Sequence, residues 1–150
     1  EGVIPKDRSL SLEGVSVLVV DDQEEARVIL TEELSEYGAQ VTTVSSGVEA
    51  LAILSHPPEG RRPDALILDI AMPDEDGYAV LKKVRALEAE QGAVTPQIPA
   101  IALTAYARAE DRFRALQAGF QMHVAKPVDP TELAVVILSI IKWSDIKPGS

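Results

Sequence analysis

Five times along this chain a short apolar run gives way to a segment with apolar residues at helical spacing. That alternation allows few folds. The runs are VSVLVVDD (15–22), AQVTTVSS (39–46), ALILD (65–69), AIALT (100–104) and FQMHVAKP (120–127). Each is short, apolar or β-branched, and reads as a strand. Between and after them, helices are expected over 23–38, 47–55, 77–91, 108–119 and 129–143. Gly38 and Gly119 suit helix stops, and Asp129-Pro130 suits a helix start. Short buried strands alternating with helices predict an α/β protein, a (βα)5 doubly wound parallel sheet of five strands. In such sheets the ligand crevice lies outside the C-terminal strand ends, where the winding reverses.

The strand ends can therefore be read as one rim. Strand one ends in Asp21 and Asp22, strand three in Asp69, strand four in Thr104 and strand five in Lys126-Pro127. The stretch ALILDIAMPDEDG (65–77) is the most pointed of these, an apolar run delivering a single acid. Three carboxylates brought together repel one another and need a counter-charge. Oxygen ligands alone suit a hard cation such as Mg2+, which readily shares its shell with phosphate oxygens. A carboxylate beside a cation and a lysine can attack phosphorus and form an aspartyl phosphate. In phosphoryl transfer the protein supplies mainly positioning and charge neutralisation.

VLVVDD (17–22), LILDIAMPDEDG (66–77), ALTAYA (102–107) and AKP (125–127) together resemble the receiver domain of two-component response regulators. The resemblance covers roughly 15–143. It implies the flavodoxin-like strand order 2-1-3-4-5. It also implies Asp69 as phosphoacceptor, and Mg2+ held by Asp22 and Asp69, by Asp21 through water, and by the backbone carbonyl of Ala71. Thr104 and Lys126 would grip the phosphoryl group and report its presence, and Pro127 would follow a cis peptide bond. The partner implied is a histidine kinase or a histidine phosphotransfer domain. The chain would catalyse its own phosphotransfer and autodephosphorylation without being a kinase.

One position departs from the family pattern. His123 stands three residues before the strand-five lysine, where an aromatic relay is usual. Tyr106, two residues past Thr104, is a candidate for lining the pocket mouth instead. Ala71 cannot reach a water attacking the phosphoryl group, so its side chain gives no help with dephosphorylation. The same residue counts against a phosphoaspartate-type small-molecule phosphatase, which would use a second acid near that place. A degenerate receiver serving as a protein-binding scaffold is the other alternative, and the complete set of five pocket residues counts against it.

The remaining features bound the setting. The chain of 150 residues carries a formal charge of −10 and no cysteine. That charge argues against direct nucleic-acid binding, which needs a basic face. The longest apolar run, LAVVILSII (133–141), is too short to span a bilayer. A cytoplasmic location is expected. Residues 1–14 read as a linker or N-terminal arm, 15–143 as the receiver domain and 144–150 as a C-terminal tail. Segments 10–22 and 119–133 look most like the C-terminal receivers of hybrid histidine kinases. The linker-like opening makes excision from a longer protein the expectation, with a stand-alone receiver, or one followed by an effector domain, as the alternatives. On the last helix, Leu133, Val136, Ile137, Ile140 and Ile141 share the sheet-facing side. Val135 and Leu138 are read as an outer apolar pair that could serve a homodimer or partner contact.

Overall fold

The computed structural model describes residues 10–92, 97–105 and 108–146, the last five without their side chains. Five strands, β1 (Ser16–Val20), β2 (Gln40–Val44), β3 (Ala65–Asp69), β4 (Ala100–Thr104) and β5 (Met122–Ala125), form one sheet in the order β2-β1-β3-β4-β5. Every neighbouring pair is parallel. The helices are α1 (Glu24–Ser35), α2 (Gly47–Ser55), α3 (Gly77–Glu90), α4 (Ala109–Ala118) and α5 (Pro130–Ile146). This is the doubly wound parallel sheet expected from the alternation, in the flavodoxin-like strand order that the resemblance implied.

Strand geometry explains the two layers. Successive side chains point to opposite faces of a sheet. Val17 and Val19 of β1, Ala65 and Ile67 of β3, and Ile101 and Leu103 of β4 join the core under α1 and α5. Their neighbours Leu18, Val20, Leu66, Leu68, Ala100 and Ala102 join the core under α2, α3 and α4. The three central strands are buried on both faces, which is why they read as unbroken apolar runs. Each fully buried Leu or Ile contributes roughly 1.5–3 kcal/mol of transfer free energy.

Side chains fix the helix starts. Asp76 accepts from the Ala79 amide at 2.9 Å to open α3, and Asp129 accepts from Thr131 at 2.9 Å to open α5. Ser46 caps α2 through the Glu49 amide, while the Glu49 carboxylate returns to the Ser45 amide at 2.7 Å. Gly119 ends α4 in the left-handed region at φ 106°, where a side chain would be strained.

One expectation changes. Leu138 does not stand on an outer face: it is half-buried and packs against the α1/α5 core. Ala134, one turn earlier, is fully buried, so the sheet-facing side of α5 is broader than the wheel suggested. Val135 alone of that pair is exposed, at 47%, and the pair forms no outer apolar patch. At the other end of the chain, Leu12 is fully buried and donates its amide to the Tyr37 carbonyl at 2.7 Å. Leu12 thus joins the core ahead of β1, with Leu10 and Val15 packed against it.

Candidate functional site

The strand register builds the site. Val20 lies beside Leu68, so the next residues, Asp21 and Asp69, emerge side by side from β1 and β3. Asp69 lies beside Leu103, and Leu103 beside Val124. Asp21 continues the row Val17–Val19, Asp69 the row Ala65–Ile67, and Lys126 follows Val124 by two residues. All three therefore project on the α1/α5 side of the rim, and they meet there. Lys126 Nζ is 3.1 Å from Asp69 Oδ1 and 3.9 Å from Asp21 Oδ2. Asp21, Asp22 and Asp69 can each place a carboxylate oxygen within 4.8 Å of the others.

Asp69 is nearly buried, at 2% exposure. Its Oδ1 accepts from both Lys126 Nζ and the Ala71 amide, each at 3.1 Å. Its carbonyl faces Gly77 so closely that a Cβ there would stand 2.7 Å away. Gly77 is thus needed for α3 to start against the end of β3. The Ile70 carbonyl accepts from the Met72 and Gly77 amides and folds the β3–α3 loop back over the strand end.

Asp21 is fully buried. Its Oδ1 accepts from the Gln23 amide at 2.9 Å, whereas Oδ2 has no hydrogen-bond partner. Burial pushes its carboxyl above the usual carboxylate range; the Gln23 amide and Lys126 oppose this, and Asp69 and Asp22 add to it. A buried carboxylate oxygen without a donor, beside two more carboxylates, is a costly arrangement that a cation would relieve. The donor set is all oxygen and fits a hard metal ion.

Thr104 ends β4, 5% exposed, and its carbonyl accepts from the Lys126 amide at 2.8 Å. It continues the row Ala100–Ala102 and so approaches the rim from the α3/α4 side. The Lys126–Pro127 bond is cis. Ala71 is exposed beside Asp69. His123 is half-buried and lies next to Ala102 on the same α3/α4 face. Tyr106 lies outside the described residues. The acidic turn is partly structural: Asp76 caps α3, and Glu75 pairs with Lys83.

Sequence reasoning missed one residue of this neighbourhood. Arg27, one turn into α1, donates to the Asp21 carbonyl at 2.7 Å. Its only signal in the sequence is a cation five residues after the acid pair, too common to single out.

Comparisons with known proteins point to one family. A family profile of the response regulator receiver domain matches residues 17–138. An uncharacterised 14.6 kDa protein from the sodA1 3′ region of Leptolyngbya boryana is 43% identical over 123 residues, covering 82% of this chain and 87% of that one. Hybrid signal transduction histidine kinase L of Dictyostelium discoideum is 37% identical over 134 residues, 89% of this chain but 8% of the kinase. Among solved structures, the receiver domain of the sensor histidine kinase PA1611 of Pseudomonas aeruginosa PAO1 superposes with a TM-score of 0.72 at 32% identity. It covers 86% of this chain and 98% of that one, and holds a magnesium ion in its active-site cleft.

Proposed function

This chain belongs to the response regulator receiver domain family of two-component signalling, and we propose that it is a phosphorylation-controlled switch with Asp69 as phosphoacceptor. One observation carries the reading: Asp21, Asp22, Asp69 and Lys126, distant in sequence, converge on one rim with Lys126 Nζ 3.1 Å from Asp69 Oδ1. Lys126 and the Ala71 amide both hold Oδ1, so Oδ2 is the oxygen that attacks.

The donor is a phosphohistidine of a histidine kinase or a phosphotransfer domain. Asp69 Oδ2 forms the new O–P bond as the P–N bond breaks. The imidazole leaves with the electron pair of that bond and takes a proton from solvent. Lys126 and the Thr104 hydroxyl receive the phosphoryl oxygens. Asp22, Asp69 and the Ala71 carbonyl would hold Mg2+, with Asp21 assisting through water. When bound, the ion neutralises carboxylate and phosphoryl charge and so lowers the barrier to their approach. Transfer exchanges the Lys126–Asp69 ion pair for contacts to the phosphoryl group. That biases the β4–β5 side between two populations. His123 lies on that side and is the candidate relay. No helix among the described residues is long and apolar enough to cross a membrane, and a receiver meeting its kinase would work in the cytoplasm.

The test is incorporation of phosphate from a small acyl phosphate donor with and without Mg2+. The protein should be labelled with Mg2+, and labelling should slow by about 10²-fold or more in a chelator, because the ion supplies several kcal/mol of charge stabilisation. Equal labelling rates in both conditions would remove the metal from the mechanism.

A further inference from the structure

Asp22 is the member of the acidic cluster with least support. It is half-exposed, and no hydrogen bond or ion pair to its carboxylate is found among the described residues. Its direction therefore depends on the backbone that carries it. Two bonds fix that backbone. The Asp21 carboxylate accepts from the Gln23 amide at 2.9 Å, closing a tight turn around Asp22. The Arg27 guanidinium donates to the Asp21 carbonyl at 2.7 Å, which sets the plane of the Asp21–Asp22 peptide. Arg27 is itself held in α1, where its amide donates to the Gln23 carbonyl and its carbonyl accepts from the Thr31 hydroxyl at 2.8 Å.

We propose that Arg27 is a positioning residue for the cation site: by clamping the Asp21 carbonyl it aims the Asp22 carboxylate at the ion. The inference rests on the metal-assisted reading above. Arg27 also brings a positive charge near the site. Two effects of opposite sign are therefore present. If charge dominates, removing the arginine strengthens cation binding. If positioning dominates, removing it weakens binding. The guanidinium donates to the Asp21 carbonyl, and no hydrogen bond or ion pair among the described residues holds the Asp22 carboxylate, so positioning prevails. Loss of groups that orient metal ligands typically costs 10–100-fold in affinity.

The experiment measures Mg2+ dissociation constants by titration calorimetry for the parent, Arg27→Met and Arg27→Lys. Circular dichroism establishes that each protein is folded at the working temperature, and thermal melts without metal report stability separately. Arg27→Met should bind Mg2+ about tenfold more weakly, and Arg27→Lys, which keeps a donor within reach of the carbonyl, should recover part of the loss. A lowered melting temperature with an unchanged dissociation constant would overturn the proposal, leaving Arg27 a structural residue. Tighter binding by Arg27→Met would overturn it too, in favour of the charge effect. A parent that binds no Mg2+ would defeat the metal-assisted reading, and this inference with it.

Discussion

An Asp69→Asn protein should take up no phosphate under conditions that label the parent fully. The substitution keeps shape and volume but replaces the attacking oxygen by an amide, which is not a nucleophile toward phosphorus. The amide oxygen can still accept from Lys126 Nζ and the Ala71 amide, the two donors that hold Oδ1 at 3.1 Å. Unfolding is not expected to explain the loss. Asp69 lies in a cluster of three carboxylates against one ammonium, so removing one negative charge eases repulsion. The metal-free variant should therefore melt no lower than the parent. Uptake at the parental rate would show that another group is phosphorylated.

Arg85→Leu should destabilise the folded state by about 3 kcal/mol. Arg85 Nη1 reaches Glu88 Oε1 and the Ile98 carbonyl at 2.8 Å, and Nη2 reaches the Gly119 carbonyl at 3.1 Å. Glu88 Oε2 accepts from the Ile98 amide at 2.7 Å. Together they tie α3 to the starts of β4 and β5, at the pole of the sheet opposite Asp69. Glu88 is 8% exposed, so losing Arg85 leaves a nearly buried carboxylate with Arg62, at 3.7 Å, as its remaining cation. Breaking a buried pair by removing one partner typically costs 3–5 kcal/mol, and Arg62 holds the estimate at the lower end. The double variant Arg85→Leu/Glu88→Leu should lose less than the single one, because no buried charge is stranded. Urea unfolding checks both. A double variant at least as unstable as the single would show that the backbone contacts of Arg85, rather than its charge, hold this corner.

The rim was legible because the fold converts strand ends into neighbours. Asp21, Asp22, Asp69, Thr104 and Lys126 each close an apolar run, and a parallel sheet brings such ends together whatever their separation in sequence. Helix α2 was legible to the residue, expected over 47–55 and found at Gly47–Ser55. Glu88 was not, because in the polar stretch RALEAEQ nothing distinguishes a buried glutamate from a solvated one. Its burial goes with partners distant in sequence or hidden on the helix, the Ile98 amide and the Arg85 guanidinium, which only the fold brings to its carboxylate. Leu12 was missed for a related reason: a single leucine in an aperiodic arm carries no signal until Tyr37 offers it a backbone acceptor. Leu138 was misplaced because the wheel gives direction around a helix but not the width of the groove it enters.

The most direct test of the central claim is to locate the phosphoryl group. Acyl phosphates are reduced by borohydride, which converts a phosphorylated aspartate into homoserine. After labelling with Mg2+ and a small acyl phosphate donor, reduction and peptide mass spectrometry should place homoserine at position 69 and leave Asp21 and Asp22 unchanged. Homoserine at position 21 or 22, or phosphate retained on a hydroxyl or imidazole after reduction, would contradict the role of Asp69 as phosphoacceptor.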